Sequence, residues 1–196
     1  MTTNRLEAFS DGVIAIIITI MVLELRPPRG SSWHELGALT PKFAAYVLSY
    51  LYLGIYWNNH HHLMHAVDRV DGAIMWANLH LLFWLSVVPF TTAWMGEYAG
   101  TPEPAALYGL SLLMAAIAYT ILVRAIIAEQ FHHSGGRHSK LRELIGSDRK
   151  GLVSIALYIA GSALAFVNAW IAYALFATVA VIWLVPDRRI SGKIGS

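Results

Sequence analysis

The sequence predicts an all-α polytopic membrane protein with six transmembrane helices. Of its 196 residues, 57% are hydrophobic and 13% are charged, whereas soluble proteins average about 45–50% apolar and about 25% charged residues. A soluble domain of this size would expose large apolar patches to water, which soluble monomers rarely do. Long apolar segments also recur along the whole chain. These observations exclude an ordinary soluble domain and a disordered chain, since disorder requires low hydrophobicity and high net charge.

Each predicted helix is an apolar segment close to the 17–25 residues that cross a hydrocarbon core of about 30 Å. The first ends before Pro27-Pro28, and the second begins after Pro41. The last apolar stretch, 151–185, is too long for one helix, so it is divided at Asn168 into two short ones. The predicted helices form one domain over residues 1–196 and cover about 6–25, 43–63, 72–95, 105–127, 151–167 and 169–185.

The distribution of lysine and arginine predicts that both termini are cytoplasmic. With six helices and a cytoplasmic N-terminus, eleven of the fourteen basic residues fall on the cytoplasmic side and three on the other. Cytoplasmic loops carry an excess of basic residues, so the distribution also supports an even number of helices. The eleven are Arg5, Arg69, Arg124, Arg137, Lys140, Arg142, Arg149, Lys150, Arg188, Arg189 and Lys193, and the three are Arg26, Arg29 and Lys42.

Composition and missing motifs exclude several classes of function. The chain has no cysteine, which excludes disulfides, thiolate zinc sites and thiol nucleophiles. A net charge of +2 gives no basic footprint for nucleic acid. The sequence contains no phosphate-binding glycine loop, no H-E-x-x-H or G-x-S-x-G motif and no carbonyl filter of the T-V-G-Y-G type. We therefore predict that the chain is not an enzyme and requires no cofactor.

The first predicted helix carries an arginine and two acidic residues near its cytoplasmic end. A carboxylate such as that of Asp11 is costly in a membrane helix unless it has partners or water, although the helix macrodipole also favours an acid near this end. At about 100° per residue, one side of the helix forms an apolar stripe. The stripe consists of Gly12, Ile16, Ile20 and Leu23. Ser10 and Asp11 point away from it, toward neighbouring helices. On periodicity alone, helix packing explains the stripe.

The segment Arg5-x-x-x-Phe9-Ser10-Asp11 is followed at once by a helix of Gly, Ile, Ala and Thr. It resembles the signature of the transmembrane protein 175 family, which contains a lysosomal potassium channel and its bacterial relatives. The resemblance covers the whole chain, because bacterial members have one six-helix unit of similar length. It implies a homotetramer in a bacterial plasma membrane, a central pore lined by the first helix, potassium as the permeant ion and no cofactor.

The resemblance also gives the apolar stripe a role. It implies a pore constriction at Ile16, five residues after the motif aspartate, with further apolar rings at Ile20 and Leu23 and a polar ring at Thr19. A hydrophobic ring gates by dewetting and steric closure, so no carbonyl filter is required. The implied activity is that of a potassium-preferring cation channel.

Polar residues at the end of the second predicted helix are the expected partners of Ser10 and Asp11. They lie at a similar depth, and polar groups buried in lipid need protein partners because water is absent. The family has a similar aromatic-x-Asn-His-His sequence here. The predicted partners are Trp57, Asn59, His60 and His61.

Two alternatives involve the same histidines. His61 and His65 stand four residues apart on one helical face, and histidine is a common zinc ligand, but a third ligand would have to come from elsewhere. We therefore predict no metal site and keep this pair as the weaker alternative. A secondary transporter of protons or divalent metal ions would use Asp11 and the His60–His65 cluster. The absence of an evident inverted repeat argues against a transporter.

Overall fold

The computed structural model describes residues 2–134, 141 and 149–184. Seven helices lie within these ranges, and no strand is found there. They are α1 (Thr3–Leu23), α2 (Trp33–Gly37), α3 (Thr40–His65), α4 (Gly72–Glu97), α5 (Pro102–His133), α6 (Arg149–Leu164) and α7 (Ala169–Leu184).

Six of these helices lie on the six predicted apolar segments, but several ends differ. The first helix ends at Leu23, ahead of the predicted residue 25, and α6 ends at Leu164. The largest difference is at the end of α5, which continues to His133 instead of residue 127. Its last residues are polar, so hydropathy marks where the apolar segment ends while the backbone hydrogen bonds continue beyond it. The helix α5 begins at Pro102. Proline has no backbone N–H, and it is tolerated here because the N–H groups of a first helical turn have no acceptor within the helix.

The helix α2 was not predicted, because its five residues do not form an apolar segment. Its first turn is closed by a capping box between Ser32 and Glu35. The Glu35 backbone N–H donates to Ser32 Oγ at 3.2 Å, and the Ser32 N–H donates to Glu35 Oε2 at 3.4 Å. Ser-x-x-Glu is a recognised sequence signature of a helix start, so the signal was present in the sequence.

Three helices in the described ranges are long and apolar enough to cross a membrane: Thr3–Leu23, Gly72–Glu97 and Pro102–His133. The helix Ala169–Leu184 is apolar but shorter. Part of the predicted topology lies outside the described residues. This part comprises residue 185, which ends the sixth predicted helix, and the basic residues Arg137, Lys140, Arg142, Arg188, Arg189 and Lys193.

The helices pack around two apolar cores, and α1 belongs to only one of them. The first core joins α1, α3, α4 and α5 around fully buried residues such as Leu53, Leu81 and Leu122. The second joins α3, α5, α6, α7 and the end of α4 around Tyr108 and Phe176. Since α1 packs mainly against α4 and α3, it lies at the edge of the bundle with one face turned outward.

Candidate functional site

The two faces of α1 have different surroundings. Its buried face consists of Leu6, Ser10, Ile14, Ile17 and Met21. On the other face, the side chains of Ile16, Ile20 and Leu23 are 58%, 44% and 76% exposed. Together with the exposed Gly12 they form what we call the open stripe. The described part of the chain leaves this apolar stripe largely uncovered. In a membrane protein such a surface meets lipid, another subunit or an ion pathway, and exposed apolar side chains such as Trp76 and Phe166 also occur elsewhere in the chain.

Thr19 lies beside the open stripe and is also exposed. Its Oγ1 donates a hydrogen bond to the Ile16 carbonyl at 2.9 Å. A hydroxyl that donates its proton to the backbone keeps two lone pairs, so Thr19 presents an acceptor oxygen next to the apolar side chains.

A buried chain of hydrogen bonds connects α1 to α4 and α3. Ser10 Oγ donates to the Leu6 carbonyl at 2.8 Å and accepts from Asn78 Nδ2 at 2.9 Å. Asn78 Oδ1 lies 2.7 Å from His60 Nε2. Because the amide oxygen can only accept, His60 carries its proton on Nε2 in this arrangement. Ser10, Asn78 and His60 are fully buried, and each helix contributes one member of the chain.

A second contact joins α1 to α3 through the motif aspartate. Trp57 Nε1 donates to Asp11 Oδ1 at 3.0 Å. The indole also stacks on the His61 ring, with centroids 6.1 Å apart and planes inclined by 22°. Asp11 thus lies on the side of α1 that faces α3, away from the open stripe.

Glu7 forms a third contact, one turn before Asp11. His61 Nδ1 lies 2.9 Å from Glu7 Oε1, and His61 Nε2 lies 3.1 Å from His65 Nε2. Sequence reasoning did not assign Glu7 to the site. The signal was its four-residue spacing from Asp11, which places both carboxylates on one helical face.

The four predicted partners of Ser10 and Asp11 take different positions. Trp57 bonds directly to Asp11, and His60 reaches Ser10 through Asn78, which sequence reasoning had not included. His61 contacts Glu7 and not Ser10 or Asp11. The rotation of α3 directs the His61 side chain to Glu7, in the second turn of α1.

Asn59, Arg5 and Phe9 lie apart from the polar contacts between α1 and α3. The Asn59 side chain has no hydrogen bond to Ser10 or Asp11 in the described residues. It lines a cavity with Tyr56 and Tyr119 between α3, α5, α6 and α7, because it lies on another face of α3 from His60. Arg5 and Phe9 are exposed, and Arg5 has no ion pair within the described ranges.

The variant Asn78→Ala tests the buried chain. It is expected to lower the thermal stability of the purified protein, because Ser10 and His60 each lose a partner and an unsatisfied buried polar group costs about 1–3 kcal/mol. The melting temperature in detergent measures the effect. Asn58→Ala is the matched control, since Asn58 is exposed on α3. Equal melting temperatures for the two variants would contradict the stabilising role of Asn78.

Comparisons with known proteins identify the family. The family model for the endosomal/lysosomal potassium channel TMEM175 matches residues 5–89, which include most of α1, all of α3 and most of α4. A protein of Chryseobacterium sp. (strain P1-3), named a potassium channel, is 54% identical over 194 residues, covering 99% of this chain and 98% of the relative. The chain belongs to the TMEM175 family. The family membership predicted from the motif is therefore confirmed.

Further comparisons extend to the fold. A protein of Chamaesiphon minutus named a potassium channel is 30% identical over 190 residues, covering 91% of this chain and 92% of the relative. The crystal structure of a lysosomal potassium-selective channel TMEM175 homolog from Chamaesiphon minutus matches with a TM-score of 0.79 at 28% identity, covering 93% and 96% of the two chains. The all-α membrane class is confirmed. The TMEM175 family and these relatives are ion channels and not enzymes, and they do not favour the transporter alternative.

Proposed function

We propose that this TMEM175 family member is the subunit of a homotetrameric, potassium-preferring cation channel in a bacterial plasma membrane. The observation that carries the proposal is the open stripe on α1, which follows the Arg5-x-x-x-Phe9-Ser10-Asp11 motif at once. Relatives covering almost the whole chain are named potassium channels. In the proposed assembly, the open stripes of four α1 helices face a common axis, with potassium as the permeant ion and no cofactor.

The residues of the stripe account for gating without a carbonyl filter. Four copies of Ile16 form the proposed constriction, and Ile20 and Leu23 form further apolar rings. A narrow apolar ring excludes water and the hydrated ion, so ions cross during outward movements of α1 that widen the ring. Thr19 supplies a polar ring beside the constriction, with an oxygen that can replace part of an ion's hydration shell.

The polar contacts of α1 support the orientation about its own axis that the proposed pore requires. Ser10 and Asp11 are held by α4 and α3, respectively, on the side of α1 away from the open stripe. The Ser10 contact is buried, so water does not compete with it, whereas the Asp11 contact is more exposed. Together they act as fixed points that keep Ile16 directed toward the proposed axis.

The positions of the charges support cytoplasmic termini. Contacts bring the start of α1, the α3–α4 connection and the end of α5 to one end of the bundle: Thr3 Oγ1 donates to the Val67 carbonyl and Gln130 Nε2 to the Ala66 carbonyl. Arg5 and Arg69 belong to this end. At the opposite end, Lys42 pairs with Glu97, close to Arg26 and Arg29. We assign the first end to the cytoplasm because the proposed topology gives it eleven of the fourteen lysines and arginines.

Flux through reconstituted protein tests the proposed function. Proteoliposomes loaded with potassium and diluted into sodium should release potassium down its gradient, faster than sodium-loaded vesicles release sodium into potassium. This flux should need no pH gradient, since a channel couples no second ion. A folded, assembled protein without flux would contradict the channel. Flux that requires a pH gradient would indicate a transporter instead.

A further inference from the structure

One side-chain cluster contains more potential metal ligands than the proposed pore requires. Glu7 lies in the second turn of α1, and His61 and His65 lie in the last turns of α3. One ligand atom from each of the three lies within 4.8 Å of the others. The sequence predicted no site because the histidine pair lacked a further group from another helix. The structure brings the Glu7 carboxylate of α1 against Nδ1 of His61, where it positions the ring instead of supplying a third ligand.

The two imidazoles have a geometry suited to one metal ion. His61 Nε2 and His65 Nε2 lie 3.1 Å apart. Zinc–nitrogen bonds of about 2.0–2.1 Å at tetrahedral angles place neighbouring ligand nitrogens about 3.4 Å apart. Without a metal, one of the facing nitrogens must carry a proton to form a hydrogen bond. A metal ion bound to both Nε2 atoms would take the place of that proton.

Glu7 favours the His61 tautomer that a metal ligand requires, in which Nε2 carries no proton. When His61 Nδ1 carries the proton and donates to Glu7 Oε1 at 2.9 Å, the neutral ring has its lone pair on Nε2, facing His65. Metal-ligating histidines usually donate their other N–H to a carboxylate or carbonyl in this way. The carboxylate also balances part of the charge of a divalent ion.

We propose that His61 and His65 bind one divalent transition-metal ion of the zinc class through their Nε2 atoms, with Glu7 positioning His61. Imidazole ligands favour zinc, cobalt, nickel and copper over magnesium and calcium. The site is open to solution, because the side chains of His61 and Glu7 are 41% and 19% exposed and His65 is exposed. A bound ion would connect the first turns of α1 to the end of α3. The site does not depend on the proposed pore.

Cobalt titration of the full chain, purified through a tag without histidine, tests the site. The visible absorption of bound Co²⁺ should rise to saturation at one ion per subunit and fall when Zn²⁺ displaces it. His65→Ala should weaken binding at least tenfold, and Glu7→Gln by roughly 10–100-fold. His62→Ala is the matched control, since His62 is exposed on the same helix turn but outside the cluster, and it should bind as the original chain does.

Thermal stability provides the second measurement. Because an ion that binds only the folded state stabilises it, Zn²⁺ should raise the melting temperature of the original chain and of His62→Ala but not of His65→Ala. Absence of saturable cobalt binding, or equal binding in His65→Ala, would overturn the site. Binding without a rise in melting temperature would overturn the connection between α1 and α3.

Discussion

Ile16→Asn is expected to raise potassium flux in proteoliposomes about tenfold and to reduce the preference for potassium over sodium. The side chain is 58% exposed on the open stripe, at the position of the proposed constriction. An amide binds water where isoleucine repels it, so the ring hydrates and the barrier to an ion falls. A decrease of about 1.4 kcal/mol in the barrier gives a tenfold increase in rate.

The control for this prediction is another exposed isoleucine outside α1. Ile159 on α6 is 53% exposed, and Ile159→Asn introduces the same polar group at a distance from the proposed axis. Its flux and ion preference should equal those of the original chain. If Ile16→Asn is assembled and its flux is also unchanged, Ile16 does not line the pore.

Asp11→Ala is expected to impair assembly more than ion preference. The substitution leaves Trp57 Nε1 without its acceptor, and because this bond is exposed its contribution is that of a typical hydrogen bond, about 0.5–1.5 kcal/mol. The loss recurs in every subunit and releases α1 from α3, so the four open stripes no longer meet in register. Size-exclusion chromatography with light scattering should show at least a tenfold smaller tetramer fraction.

Asp68→Ala is the matched control for Asp11→Ala, because Asp68 is exposed in the α3–α4 connection. It should assemble as the original chain does. Asp11→Asn, which keeps an acceptor oxygen for Trp57, should lie between the two. An intact tetramer of Asp11→Ala with altered ion preference would mean that Asp11 faces the ion pathway instead of α3.

The α1 helix shows how much the sequence determines. Its 3.6-residue periodicity places Ser10 on one side and Ile16 on the other, and the structure buries the first and exposes the second. The reason is physical: in an apolar environment a polar side chain must face a partner, so the direction of Ser10 and Asp11 follows from the helix alone. The apolar segments likewise predict where along the sequence the six long helices lie.

Contacts between distant helices could not be predicted in the same way. Asn78 is 68 residues from Ser10, and the bond between them depends on how α4 is rotated against α1. That rotation results from the packing of many apolar side chains, for which no local pattern exists. The same reason explains why His61 faces Glu7 while Asn59 faces a cavity between other helices.

The central proposal is tested most directly by finding which face of α1 meets the same helix of a neighbouring subunit. The chain has no cysteine, so single cysteines can be introduced at Ile16, Ile20 and Leu23 on the open stripe, with Ile159→Cys as the exposed control. Disulfides require Cα atoms within about 7 Å, so a cross-link between subunits shows that the same position on two α1 helices comes that close. Oxidation in membranes should cross-link subunits at the three stripe positions and not at Ile159. Cross-linking at Ile159 but at none of the stripe positions would contradict a pore lined by α1.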